Sequence, residues 1–286
     1  MHIFKETTSL RNFLITEQNS SKTVGFVPTM GALHDGHLAL IKKSTAENDI
    51  TICSIYVNPT QFNNSDDLDK YPRTIDKDIN LLENVGCTAV FLPDDTIMYP
   101  EGKNKEDLIE FNFGSIETVM EGAKRPGHFN GVGIVVSKLF HIVQPTKAYF
   151  GLKDLQQFLI IRKLTNALSF PIDVIGHPTE RAEDGLALSS RNMRLSESQR
   201  EIAPILYKAL QETKNILESS EDVEKAIEKG TQLIDETNQF QIEYLEITDT
   251  KSLKKLDSYS KGQNYAICVA AWLGNVRLID NILIEN

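Results

Sequence analysis

The stretch Phe26-Val27-Pro28-Thr29-Met30-Gly31-Ala32-Leu33-His34-Asp35-Gly36-His37 joins the end of one apolar run to the start of another. Before it, Lys22 to Val27 is a short β-branched and aromatic run with the composition of a buried strand. After it, Leu38, Leu40 and Ile41 recur at helical spacing. The expected unit is strand, glycine turn and helix, with His37 near the helix start. Such a start presents unpaired backbone N–H groups and a partial positive charge, which favour a phosphate. The stretch therefore reads as a nucleotide-binding turn.

Outward from it, short apolar runs alternate with longer helical segments between Thr23 and about Thr179. That pattern belongs to an α/β domain with a mostly parallel sheet. Expected strands are Thr23 to Val27, Asp49 to Val57, Ala89 to Leu92, Ala148 to Phe150 and Ile172 to Ile175. Expected helices are Thr74 to Val85, with Ile75, Ile79, Leu82 and Val85 on one face, the almost wholly apolar Val132 to Val143, and Leu155 to Leu168. Ligands of such sheets bind beyond the carboxyl ends of the strands. Polar clusters fall there: Asn58-Pro59-Thr60-Gln61-Phe62 after Val57, Gly151-Leu152-Lys153-Asp154 after Phe150, and Gly176-His177-Pro178-Thr179 after Ile175.

After Thr179 the texture changes. Ser196-Glu197-Ser198-Gln199 has the form of a capping box opening a helix to about Leu217, and Ser220 with Glu221 and Asp222 opens another to about Glu236. Ile242 to Ile247, Tyr265 to Trp272 and Val276 to Ile279 read as strands of a small sheet, with a turn at Gly274-Asn275. This predicts a second, α+β domain, with the boundary near Gly176.

With 286 residues, 41% hydrophobic and 24% charged, the chain has the make-up of a globular protein of one or two domains. A net charge of −10 argues against nucleic acid as the main partner. No run approaches a membrane span, and the first residues lack the apolar core of a signal peptide, so a cytoplasmic protein is expected. Cys53, Cys87 and Cys268 are scattered with no C-x-x-C pair, which suggests neither a disulfide framework nor a thiolate metal site.

His34 and His37 stand three apart between glycines at the strand-to-helix turn. A zinc site asks for further ligands at matching spacing, as in H-E-x-x-H, and the sequence has none. Phosphate contact fits better, because imidazole N–H groups and backbone amides stabilise charge gathering on a phosphoryl group. Lys153, straight after a buried strand end, can reach a phosphate as a point charge. Asp154 either holds Mg²⁺ or caps the helix that follows. Ser189, Ser190 and Arg191 pair hydroxyls with a guanidinium, which suits phosphate oxygens or an interdomain turn.

Taken together, Pro28 to His37, Val57 to Phe62, Tyr71-Pro72-Arg73-Thr74, Arg125-Pro126-Gly127-His128-Phe129, Lys153-Asp154-Leu155-Gln156-Gln157 and Leu188-Ser189-Ser190-Arg191-Asn192 resemble the pantothenate synthetase family of H-x-G-H nucleotidyltransferases. The ordered set from Pro28 to Asn192 carries the resemblance, and the C-terminal third adds a compatible length and texture.

The resemblance implies a Rossmann-like domain over residues 1–176 that binds ATP and pantoate, and an α+β domain over residues 177–286 that covers the active site. It implies joining of pantoate to β-alanine with ATP and Mg²⁺, releasing AMP and diphosphate through a pantoyl adenylate. Met30, Gly31, Ala32, Leu33, His34, Asp35, Gly36 and His37 would line the ATP site, with His34, His37 and Lys153 as the catalytic set. Gly151, Leu152, Lys153, Asp154, Glu180, Leu188, Ser189, Ser190 and Arg191 would complete it. Gln61 and Gln157 would bind pantoate, with neutral amides that orient the acid without repelling it. Asp154 would be the residue for Mg²⁺. A homodimer is implied, with no membrane or nucleic-acid partner. The family pattern has Glu where Leu152 stands, Met at Leu188 and an aliphatic residue at Glu180. The competing expectation is an adenylyltransferase of the same superfamily that acts on a phosphate-bearing substrate. Asn63 to Arg73 and Glu121 to Phe129 are candidate covers for a water-sensitive intermediate.

Overall fold

Apolar residues at nearly every position of Val24–Thr29 and Ile50–Ile55 leave no face suited to water, as in strands covered on both sides. Both are central strands of a parallel sheet in the computed structural model, which describes residues 1–104 and 107–285. The sheet contains β1 (His2–Phe4), β2 (Val24–Thr29), β3 (Ile50–Ile55), β4 (Ala89–Phe91), β5 (Lys147–Gly151) and β6 (Asp173–His177), in the order β1-β4-β3-β2-β5-β6. Its helices are α1 (Thr7–Gln18), α2 (Asp35–Glu47), α3 (Ser65–Asp69), α4 (Ile75–Asn84), α5 (Asp95–Met98), α6 (Met120–Lys124), α7 (His128–Val143) and α8 (Leu155–Ala167). Leu40, Ile41 and Leu82 from α2 and α4 pack with Val27, Ile55 and Val90. A second apolar group is aromatic, with Phe140 of α7 edge-on to Phe26 at 6.5 Å and to Phe150 at 6.4 Å.

The second sheet is antiparallel, in the order β7 (Phe240–Thr248), β8 (Tyr265–Leu273) and β9 (Val276–Ile284), preceded by α9 (Glu197–Ile202), α10 (Ile205–Ser220) and α11 (Val223–Asp235). Leu206, Leu210 and Leu217 of α10 and Ala226 and Ile234 of α11 share a core with Ile267, Val269 and Ala271 of β8. The expected α/β fold with a smaller α+β part is therefore the fold of the chain. By packing, one unit comprises Met1–Glu117, Glu121–Leu152 and Gln157–Pro178, and the other Thr118–Met120, Lys153–Gln156 and Thr179–Asn286. Among the described residues no helix is long and apolar enough to cross a membrane.

Four local expectations need correction. β1 and α1 carry too little pattern to announce themselves, since β1 has three residues and α1 buries only Leu10 and Leu14. The helix opened by Ser196 has the expected capping box but stops at Ile202, because Pro204 lacks the N–H a helix needs there. Ile75, expected on the buried face of α4, is 48% exposed, and Asp78 is buried on that helix instead. α7 begins four residues before Val132, with Gly127 at φ 81° as its N-cap.

The early start of α7 has a purpose for the site. A Cβ on Gly131 would stand 2.5 Å from the Thr60 carbonyl oxygen and 2.7 Å from the Gln61 Cα, so only glycine lets α7 approach the Pro59–Gln61 turn. Gly131→Ala is expected to cost about 1–3 kcal/mol, read as a lower thermal midpoint. An unchanged midpoint would show that the turn retreats freely.

Candidate active site

β2 is where the strand order reverses: β3 and β4 lie to one side of it, β5 and β6 to the other. The carboxyl ends of β2 and β5 therefore flank the topological switch point, where open α/β sheets bind ligands. Met30 to His34 leave β2 there and enter α2. His34 is the N-cap residue, in extended conformation, and its carbonyl accepts from the N–H groups of His37 at 2.8 Å and Leu38 at 3.1 Å. The two imidazoles are half-buried neighbours, with ring centroids 4.1 Å apart.

The turn is held from below by Asp78, which is fully buried. One carboxylate oxygen accepts from Ala32 N–H at 2.9 Å, the other from Leu33 N–H at 2.8 Å and from Thr74 Oγ1 at 3.1 Å. Gly31 at φ 76° and Ala32 at φ 50° both take the left-handed region, and a Cβ on Gly31 would reach Ile55 Cγ2 at 2.9 Å. Thr29 Oγ1 accepts from Gly31 N–H at 3.1 Å and donates to the Ser54 carbonyl at 2.8 Å. The strained backbone is thus over-determined by side chains from β2 and α4.

Gln61 closes a short 3₁₀ turn, Pro59–Gln61, and is buried. Its amide nitrogen approaches Met30 Sδ at 3.1 Å, which joins this residue to the Met30 to His34 turn. Asn58, also buried, donates to Gln61 Oε1 at 3.2 Å and to the Gly131 carbonyl at 3.1 Å. Its own oxygen accepts from Tyr99 Oη at 2.7 Å and Thr60 Oγ1 at 3.1 Å. Burial pushes the Tyr99 phenol up, which keeps it a donor. His128 Nδ1 lies 2.8 Å from the Gln61 carbonyl, and its Nε2 lies 3.1 Å from Arg125. The Arg125-Pro126-Gly127-His128-Phe129 motif therefore braces Gln61. Glu121, His128 and Phe129 are buried at the two ends of the Glu121 to Phe129 segment, and Ala123, Lys124, Pro126 and Gly127 between them are exposed. Most of Asn63 to Lys70 is exposed or half-exposed, and Tyr71 is buried with its ring 5.8 Å from Phe62.

At the end of β5, Gly151 pairs in register with His177, and Leu152 follows. A Cβ on Gly176 would fall 2.7 Å from Leu152 Cδ2, so Leu152 lies against the bare backbone of β6. Gln157 is half-buried in the first turn of α8. These residues belong to the first unit.

Lys153, Asp154, Glu180, Leu188, Ser189, Ser190 and Arg191 pack in the other unit. Lys153 Nζ lies 3.7 Å from Asp154 Oδ2, with side chains 16% and 48% exposed. The Glu180 carbonyl accepts from Leu188 N–H at 2.9 Å, so this position contributes backbone. Ser189 caps the Ser190–Arg194 turn by accepting from Arg191 N–H at 3.3 Å, and Ser190 is buried.

The three cysteines are buried. Burial pushes the Cys53 thiol far up and that of Cys87 to about 12, so neither is poised as a nucleophile. Among the described residues no group of three or more His, Cys, Asp or Glu is placed to hold a metal ion. Asp78, Asn58 and Tyr99 were not predicted as supports. An aspartate on the stripe formed by Ile75, Ile79 and Leu82 is the one sequence signal that points to Asp78.

The profile of the pantoate-beta-alanine ligase family matches residues 2–283. The chain belongs to the pantoate-beta-alanine ligase family. It is 46% identical to a pantothenate synthetase of Cytophaga hutchinsonii over 276 residues, 96% of each chain. It is also 46% identical to a pantothenate synthetase of Porphyromonas gingivalis over the whole of both. The crystal structure of a Thermus thermophilus pantothenate synthetase superposes with a TM-score of 0.92 at 40% identity, covering all of both chains. A Francisella tularensis pantoate-beta-alanine ligase, solved with beta-gamma ATP and beta-alanine, superposes with a TM-score of 0.80 at 36% identity over 99% of this chain and 97% of that one.

Proposed function

We propose that the protein joins pantoate to β-alanine with ATP, giving pantothenate, AMP and diphosphate through a pantoyl adenylate. On this chain the observation that carries the site is the 3.1 Å approach of the Gln61 amide to Met30 Sδ, which sets an acid-orienting group beside the nucleotide turn. Met30, Gly31, Ala32, Leu33, Asp35 and Gly36 shape the nucleotide site. His34, His37 and the α2 N-terminus stabilise negative charge at the α-phosphate. Lys153, with Ser189, Ser190 and Arg191, neutralises charge on the phosphates. Gly151, Leu152, Glu180 and Leu188 supply backbone and apolar wall. Gln61 and Gln157 hold pantoate so that its carboxylate attacks the α-phosphorus and diphosphate leaves. The uncharged amine of β-alanine then attacks the acyl carbon, and the bond to AMP breaks. Asp154, whose side chain is 48% exposed, would be the residue to hold a Mg²⁺, which would supply positive charge to offset that of the leaving group. By family resemblance we read the working form as a cytoplasmic homodimer. Sedimentation equilibrium that returns a monomer would remove that reading.

The reaction is tested by exchange of labelled diphosphate into ATP. Exchange that depends on pantoate is expected, followed by AMP release once β-alanine is added. Release of ADP, or exchange only with a phosphate-bearing acceptor, would reject the ligase reading in favour of another transferase. Gln157→Ala is expected to raise the pantoate requirement about tenfold, as for a lost hydrogen bond, and to leave the ATP requirement near its original value. Pantoate dependence that does not move would remove Gln157 from the site.

A further inference from the structure

Neighbouring residues on a strand point to opposite faces of the sheet. Asp280 and Asn281 on β9 do this, and both are buried, at 5% and 6% exposure. Asn281 Nδ2 donates to the Lys153 carbonyl at 2.7 Å. Asp280 takes the Arg181 guanidinium in a two-pronged pair, at 2.6 and 2.9 Å. Arg181 also donates to the Asn281 carbonyl at 3.0 Å and the Gly185 carbonyl at 3.1 Å, and it stacks 3.7 Å from the Tyr207 ring centroid. Arg181 opens the small hairpin in which it bridges to Ala187, and the hairpin leads directly into Leu188 and Ser189. Asn192 Nδ2 fastens the far side by donating to the Ala187 carbonyl at 3.0 Å.

Polar side chains are not the general means of stabilising buried strand positions of this kind. The partners across from them on β8 are Cys268 and Val269, and a buried ion pair is commonly no more stabilising than apolar residues of similar volume. Their distinguishing feature is that two adjacent positions on one rigid strand grip the two phosphate-binding segments, Lys153 and the stem of Ser189 to Arg191. Sites are held most accurately by groups anchored to regular elements.

We propose that Asp280-Asn281 is a positioning element for adenylate formation: Asn281 sets the backbone of Lys153, and Asp280, through Arg181, sets the hairpin that presents Ser189 to Arg191. This rests on the ligase reading above. The test compares the unaltered protein, Asn281→Leu, Lys153→Ala and the double variant by pantoate-dependent diphosphate exchange and thermal unfolding. Asn281→Leu keeps the branched shape, with some added bulk, and removes the donor. It is expected to lower turnover about tenfold or more, as for a misplaced reacting group, with the ATP requirement little changed. In the Lys153→Ala background the same change should have less than about a twofold effect, because the carbonyl that Asn281 binds remains but the ammonium it positions is gone. Turnover of Asn281→Leu equal to the unaltered protein would overturn the proposal. So would an equal fold-loss in both backgrounds, which marks general loosening. If Asn281→Leu does not fold, Asn281→Ala, which lacks the donor and adds neither bulk nor charge, should show the same loss, and its full activity would overturn the proposal. Absence of exchange by the unaltered protein would overturn the ligase reading and the positioning role together, whereas normal exchange with an indifferent Asn281 overturns the positioning alone.

Discussion

Lys153→Ala and His37→Ala are each expected to lower the rate of pantoate adenylation by about 10²–10³-fold, the usual cost of removing one preorganised donor from a developing charge. ATP binding should weaken by no more than about tenfold, one hydrogen-bond-sized loss. The split follows from where the groups sit. His37 is in the first turn of α2, where backbone N–H groups already favour a bound phosphate, so the ground state keeps other donors when one imidazole is lost. Negative charge on the α-phosphate oxygens grows in the transition state, and there the missing donor is felt most. Single-turnover rates measured beside equilibrium ATP titration separate the two. Equal losses in rate and binding would reduce both residues to ground-state contacts.

Asp78→Ala is expected to destabilise the protein by about 3–5 kcal/mol, since three donors lose their acceptor in a site closed to water. The thermal midpoint should fall by about 6 °C or more. Asp78→Asn should not restore it. Ala32 N–H and Leu33 N–H point at different oxygens of the carboxylate, and an amide meets one of them with an NH₂ group, donor against donor. Turnover should fall in both variants, because the Met30 to His34 turn is the platform for the histidines. A fully stable, fully active Asp78→Asn would show that the turn is held by Gly31 and Thr29 alone.

Gln61 shows how much of the site is legible without coordinates. The residue itself stands out in the sequence, as an amide in a polar cluster beyond a buried strand. What aims it does not: Asn58 is a neighbour, but Tyr99, His128 and Gly131 come from far along the chain. The same holds for Lys153, which is visible as a lysine after an apolar run, whereas its anchor lies 128 residues away at Asn281. A missed break at Pro204 is of another kind, since the rule that a proline ends a helix was available in the sequence.

By itself the sequence determined every strand but β1, the glycine turn into α2 and the two-part architecture, and it offered the residues proposed for phosphate and acid chemistry. Composition, periodicity and short motifs act over a few residues, and these features are built over that range. Only the tertiary structure decided which strand neighbours which, that the turn stands where the strand order reverses, and that Asp78 meets the turn, Asn58 meets Gln61, and Asp280-Asn281 meet Arg181 and the Lys153 backbone. Those arrangements come from side chains that meet across long stretches of chain, where burial and hydrogen-bond satisfaction select the partners and no local pattern names them.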